Sequence, residues 1–525
     1  VTNPWLLLAL LALALAPTRA AKAEPFLPGP GLSQPLVAQV TATALDFMAP
    51  RTLEAVSIPQ MAMWGLRGLT TLDPRLTPDL ADETGRRTLR LIGPSRVLLN
   101  RAAPPADNPA LWGEAIAQMV RAAWDSSDAV RRAGTQGILR SFFDELFNHL
   151  DPYSRYASPA EALAERIRRI GQAGTGIRPV IRRGQVLVDS VRPGSPASLA
   201  GIRPGERITA IDDEPVQGAD LESVNALLAG PEDSSVAIAL RGRAGTRTVI
   251  LERKALPQET VAARREDDAL VIAIGAFASN TASRLAQELI AGLQASPPPA
   301  GVVLDLRGNR GGLLRQAVDA AAMLQPTGIV ALTSGRDPQA AHEFRADGRD
   351  LARGLPVVLM VDGRTASAAE VLAAALSDQR RGVVLGSTTL GKGLVQTILP
   401  LPDGGELYLS WSRLLAPGLW PIQSLGVLPQ LCTSLGQDAL ARNLAALSRG
   451  IQPLQHGLAR HRAARAPLPA AEVLEIRAIC PAAVGNDRDL AAARQLIREP
   501  AAYAAALMPP LPARSSLGAP RTGSR

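Results

Sequence analysis

The hydrophobic pattern changes its period along the chain, and each change predicts a different kind of structure. Between Val130 and Leu150, apolar residues at Ile138, Phe142, Leu146 and Leu150 recur every fourth position, which predicts a helix that Pro152 stops. Much of 24–165 reads as helical in this way. From about 170 to 253 the pattern becomes short strands: Gln185–Val191, Ile208–Ile211 running into an Asp212-Asp213 turn, and the pair Val236–Leu240 and Thr246–Leu251. A short helix between Pro196 and Gly201 and another over Leu221–Leu228 are predicted among them. From 268 onward strands and helices alternate: Leu270–Ile274, Ala282–Leu293, Val302–Leu306, Leu313–Leu324 and Ile329–Leu332. That order predicts an α/β core. Asp403-Gly-Gly405 predicts a hairpin, and after about 436 the chain reads as Ala- and Arg-rich helix with a disordered tail. The expected units are 1–23, 24–165, 168–253, 254–435 and 436–525.

Composition refines this picture without overturning it. Hydrophobic residues at 46% and charged residues at 20% are globular values, while aromatics at 3% leave the cores to Leu, Val, Ile and Ala. The net charge of +8 raises the question of nucleic acid, but the Arg residues are interleaved with Asp and Glu and form no basic stripe with stacking aromatics. No nucleic-acid partner is expected. Leu6 to Ala16 is an unbroken run of Leu and Ala, too short to span a bilayer, and Ala21-Lys22-Ala23 offers a small-x-small cleavage pattern. A secretory signal over 1–23 is therefore expected, although Val1–Trp5 carries no basic residue. A periplasmic or otherwise secreted protein follows. Cys432 and Cys480 form no metal or redox motif, and in that compartment a disulfide is expected, with two buried thiols as the alternative. The four histidines are isolated and no metal site or cofactor is expected.

The candidate chemistry lies between Val357 and Gln396. Of 56 basic residues only Lys22, Lys254 and Lys392 are lysines. A desolvated lysine can lose its proton and arginine cannot, so a lysine kept in such a chain invites a chemical reading. Three readings of Ser367 and Lys392 compete. Ser367-Ala-Ala-Glu370 is a capping box that needs no chemistry. Gly386-Ser-Thr-Thr-Leu-Gly-Lys-Gly393 matches a phosphate loop up to Lys392, but Gly393 replaces the magnesium-binding hydroxyl and a strand-like segment follows. The third reading is a Ser–Lys dyad, with Ser367 at a helix N-terminus, the Ala368 N–H open to an oxyanion, and Lys392 in an apolar setting that lowers its pKa. Spacing and chemistry leave the first and third open.

A resemblance decides between them. Leu150-Asp-Pro-Tyr-Ser-Arg-Tyr156, Asp305-Leu-Arg-Gly-Asn-Arg-Gly-Gly-Leu313, Thr365-Ala-Ser-Ala-Ala-Glu370 and Gly391-Lys-Gly-Leu-Val-Gln396 occur in order, with Pro193-Gly-Ser-Pro-Ala and Ala200-Gly-Ile-Arg-Pro-Gly205 between the first two. The chain over about 130–430 resembles the carboxyl-terminal processing peptidases, the S41 family of serine proteases, with a PDZ-like unit. The resemblance implies an α/β fold with a crotonase-like (ClpP/crotonase-type) core, an inserted PDZ-like domain and helical N- and C-terminal regions. It implies Ser367 as nucleophile, Lys392 as base, Gln396 orienting that lysine, and backbone N–H groups of Ala368 and Gly311 as oxyanion hole. Asp378 matches an acidic position with a structural role. Gly174, Thr175, Gly176 and Ile177 occupy the place of the loop that receives a peptide carboxylate while the peptide adds as a strand. Glu206, Arg310 and Gln430 depart from the usual Asp, Pro and Asp. The implied function is a secreted endopeptidase acting on protein or peptide substrates with exposed apolar C-termini. A non-hydrolytic PDZ-type scaffold is the alternative. Natural substrates, an adaptor partner and homo-oligomer formation stay open.

Overall fold

Four segments, Ala269–Ile274, Gly301–Asp305, Val357–Val361 and Val383–Gly386, are apolar at consecutive rather than alternate positions. Strands of that kind need cover on both faces. The computed structural model, which describes residues 31–511 apart from 84, 244, 257 and 258, supplies it. The four strands run parallel in a six-stranded sheet, with Val261–Glu266 antiparallel at one edge and Leu431–Cys432 parallel at the other. Leu270, Ile272, Val302, Leu304, Val357 and Leu359 meet the helices Thr281–Leu293, Leu314–Ala322 and Ala368–Asp378 on one face. Ala269, Val271, Val303, Val358 and Met360 meet Gln437–Ser448, Asp487–Arg498 and Pro500–Ala506 on the other. The C-terminal helices are thus the second covering layer of the same sheet. A disulfide between Cys432 and Cys480 joins the last strand of the sheet to the segment that leads into this layer.

A second sheet stands beside the first. Glu406–Leu415 pairs with Leu394–Pro400, with Gly328–Ser334 and, through residues 406–408, with Arg155–Ala157. The expected hairpin at Asp403-Gly-Gly405 connects the first two. Its residues Leu401, Leu407 and Leu409 enter the core formed by the N-terminal helices Gln34–Met48, Ile58–Leu66, Pro109–Ser126 and Asp128–Phe147. The reading of 24–165 as helical missed one feature. Residues 77–102 form a three-stranded antiparallel sheet, and Leu89 and Leu91 of its middle strand are fully buried at alternate positions. That alternation was the available signal, but it is too short to outweigh the helices on either side.

Residues 177–252 form a separate sheet with its own core of Ile208, Ile211, Val224, Leu228, Ile238 and Leu240. The short helix Pro196–Leu199 starts at Ser195, whose Oγ accepts the Ser198 N–H at 3.3 Å. Asp212 and Asp213, with φ of 48° and 64°, make the tight turn read from the sequence. The expected signal at 1–23 and the tail from 512 lie outside the described residues.

Asp378 closes the end of the helix Ala368–Asp378. Its buried carboxylate accepts the Gly418 N–H at 2.8 Å and the Trp420 indole N–H at 2.9 Å, and pairs with Arg462 at 3.2 Å. Burial pushes its pKa up, and the Arg462 charge opposes that rise. Removing the carboxylate strands a buried guanidinium. Asp378→Ala is therefore expected to cost about 3–5 kcal/mol, read as a lower thermal unfolding midpoint of the purified protein.

Candidate active site

Three adjacent parallel strands end at the same edge, and in open α/β sheets the loops at those carboxyl ends form the site. Here they are 306–313, 362–367 and 387–393. Asp362, fully buried, joins two of them by accepting N–H groups from Gly308 at 2.9 Å, Arg364 at 3.0 Å and Thr365 at 3.1 Å. Burial alone raises its pKa, but these donors with the Gly485 N–H outweigh that and hold it below the usual carboxylate value. Thr365 Oγ1 donates to the Leu306 carbonyl at 2.9 Å, and Leu390 N–H donates to the Thr365 carbonyl at 2.9 Å.

Ser367 stands between the second loop and its helix with φ 57° and ψ −121°. A non-glycine residue there is strained by about 1–3 kcal/mol. Nucleophilic serines occur at such strand-to-helix elbows because the sharp turn carries the hydroxyl clear of the sheet. Ser367 is half-buried, whereas Ala368 behind it is fully buried. Among the described residues the Ala368 N–H has no hydrogen-bond partner in the protein. Gly311 lies against this elbow. A Cβ on it would fall 2.8 Å from Ser367 Cβ and 3.0 Å from Ala368 N, so only glycine admits the approach. Its own N–H, however, donates to Asn309 Oδ1 at 2.8 Å. The two expected oxyanion donors therefore differ in this arrangement: the Ala368 N–H is free, and the Gly311 N–H is engaged because the buried Asn309 folds back on its own turn.

Glu370 connects the elbow to the lysine. It is fully buried, and its carboxylate accepts the N–H groups of Ser367 at 2.7 Å, Gly391 at 2.7 Å and Lys392 at 2.9 Å, together with the Thr389 hydroxyl. Desolvation pushes its pKa up against these donors. The sequence showed Glu370 only as half of a capping box, and that half is present. Its hold on residues 389–392 was illegible, since it needs a contact across the fold. Gly393 then passes so close to the 421–426 segment that a Cβ would sit 2.0 Å from Gln423 N.

Lys392 is half-buried, and burial, followed by the Arg155 charge, pushes its amine below the ordinary lysine value of 10.5. Its Nζ lies 5.0 Å from the centroid of the Tyr153 ring. Among the described residues no hydrogen bond joins it to Ser367 Oγ. Nor, among the described residues, does a hydrogen bond join Gln396 to Lys392. The Gln396 amide donates to the Tyr153 carbonyl, so Tyr153 takes up both side chains. The Asp151-to-Tyr156 turn puts Tyr153 there. Asp151 accepts the N–H groups of Tyr153 and Ser154 at 3.0 Å each and the Ser410 hydroxyl at 2.7 Å, which clamps the turn to the hairpin strand. Gln430 faces away from this region and braces the sheet, accepting the Val384 N–H at 2.8 Å and donating to Ser377 Oγ at 3.0 Å.

Residues 268–432 match the model of peptidase family S41, and residues 187–242 match a PDZ domain. The chloroplastic C-terminal processing peptidase of Tetradesmus obliquus is 32% identical over 348 residues, which is 59% of this chain and 74% of that protein. The chain belongs to peptidase family S41. The carboxy-terminal-processing protease of Bartonella bacilliformis is 30% identical over 302 residues, 56% of this chain and 69% of that protein. Among solved structures, a photosystem II D1 C-terminal processing protease is 31% identical, covering 62% of this chain and 90% of that one with a TM-score of 0.33. As an S41 peptidase with a PDZ domain, the chain is a serine protease.

The Glu370 contacts generate a prediction. Glu370→Ala leaves three backbone N–H groups without their acceptor, of which the buried Gly391 one costs about 1–3 kcal/mol. Peptidase turnover is expected to fall by about 10²-fold or more with a lower melting midpoint, and Glu370→Gln to fall between this variant and the unaltered protein. Steady-state rates and thermal melts check both.

Proposed function

We propose that this protein is a secreted endopeptidase working through a Ser367–Lys392 dyad on a crotonase-like core, and that its PDZ domain receives apolar C-termini of extracytoplasmic proteins. The observation that carries the reading is the strained elbow at Ser367, with the free Ala368 N–H beside it and one buried carboxylate tying it to Lys392. Ser367 Oγ attacks the scissile carbonyl as neutral Lys392 takes its proton. The new alkoxide lies at the Ala368 N–H, with Gly311 as second donor once its N–H turns from Asn309. Collapse of the tetrahedral intermediate breaks the C–N bond, Lys392 returns the proton to the leaving amine, and water repeats the sequence on the acyl-enzyme. Lys392 must leave the Tyr153 ring for the first step, and Gln396 must leave the Tyr153 carbonyl to assist it.

The sheet edge at Ile177–Arg182 and the Gly174–Ile177 loop support the peptide-binding part of the reading. The apolar N-terminal run and the Cys432–Cys480 disulfide support an oxidising compartment outside the cytoplasm. No helix among the described residues is long and apolar enough to cross a membrane.

Lys392 gives the sharpest test. With a neutral amine as base, kcat/KM on an unstructured peptide is expected to rise with pH to a midpoint below 10.5. Lys392→Arg keeps the charge and is expected to abolish activity at every pH, as is Ser367→Ala. Wild-type turnover by either variant refutes the dyad.

A further inference from the structure

The PDZ sheet ends at the strand Ile177–Arg182, which pairs with Gln185–Val191 on one side and, among the described residues, with no strand on the other. Two observations fix which of its residues turn their backbone groups to that open side. Val188 donates its N–H to Glu206 O and accepts the Gly205 N–H, both at 2.8 Å, so both its polar groups point to the far side of the sheet. In an antiparallel pair the opposite residue then also turns its groups away, and the residue opposite Val188 is Pro179. At the loop end, Arg192 N–H donates to Gly176 O at 2.9 Å, which puts Gly176 in the inward set. Alternation from either end agrees: Ile177, Pro179 and Ile181 carry the outward rungs.

Pro179 has no N–H and carries a Cδ methylene in its place. Pro179 is buried, whereas its neighbour Arg178 is exposed. A peptide adding antiparallel to this edge, with its carboxylate at the Gly174–Ile177 loop, sets its last residue against Ile177 and its third-from-last against Pro179. The Pro179 carbonyl can still accept an N–H from that residue, but nothing on the strand can donate to its carbonyl.

We propose that Pro179 deletes one rung of the peptide ladder, so that this groove grips a C-terminal tail through its carboxylate and last residue and leaves the third-from-last carbonyl to water. The inference rests on the reading of this edge as the C-terminus site. The ligand class is a C-terminal tail with a free carboxylate and an apolar last residue, held weakly and with little demand on the residues before it. The same proline keeps an open sheet edge from pairing with unrelated strands.

The test uses the full chain carrying Ser367→Ala, so that ligands are not hydrolysed. The probe is a fluorescein-labelled octapeptide ending in Val-Ala-Ala, read by anisotropy beside its C-terminal amide and an analogue with an ester between the third-from-last and penultimate residues. The ester weakens the third-from-last carbonyl as an acceptor and removes an N–H that faces away from the strand. With Pro179 in place, the ester is expected to bind within about two-fold of the peptide. Pro179→Ala restores the donor and is expected to bind the peptide about 3- to 10-fold tighter, a gain that the ester loses. The inference is overturned if Pro179→Ala binds no tighter, or if the ester weakens binding several-fold with Pro179 present. Should Pro179→Ala not fold, the ester comparison alone decides. Equal binding of carboxylate and amide peptides removes the C-terminus reading itself, an outcome distinct from failure of the missing rung.

Discussion

Glu370 offers four short contacts from a position with no access to water, and the geometry of the site depends on them. A carboxylate buried this deeply is costly unless donors surround it, and here the donors are the backbone of the serine elbow and the backbone of the lysine turn. The compensation for its desolvation is the mutual placement of those two stretches. An apolar residue of similar size could fill the space, but it could not gather N–H groups from both sides. The positive φ at Ser367 is held in the same way, since its N–H is fixed on one side and Gly311 is packed against it on the other.

Buried carboxylates recur through the outer shell of the site. Asp362 closes the second loop on the first and also accepts the Gly485 N–H at 3.3 Å from the C-terminal segment. Asp489, fully buried at the start of Asp487–Arg498, accepts the Thr433 hydroxyl at 2.7 Å and meets Arg307 at 3.1 Å. The helices after 436 therefore cover one face of the sheet and also brace the loops at its carboxyl end. The N-terminal helices reach the site from the opposite direction through the hairpin and the Asp151-to-Tyr156 turn, which brings Tyr153 against both Lys392 and Gln396.

The proposed peptide-receiving edge and the candidate catalytic edge use one physical fact in two ways. Unpaired backbone N–H groups bind anions, whether at the start of a helix or along the rim of a sheet. At Ala368 an N–H is left free beside a serine. At Pro179 one is withheld, and the strand that carries it loses a donor without losing its place in the sheet.

Much of the fold was legible because its signals are local. The alternation of strands and helices from 268, the helix over Leu221–Leu228, the Asp212-Asp213 turn and the hairpin at Asp403-Gly-Gly405 all come from periods and turn residues that act over a few positions. The motifs around Ser367 and Lys392 carried the family in the same way. What only the tertiary structure decided depends on residues far apart in sequence. The sheet at 77–102, the C-terminal helices as a covering layer, the engagement of the Gly311 N–H by Asn309 and the capture of Lys392 and Gln396 by Tyr153 belong to this class. Residue types along the chain determined which groups could do chemistry. Which of them are free, paired or turned elsewhere was decided by burial, because a buried donor or acceptor must find a partner and the nearest one is set by the fold.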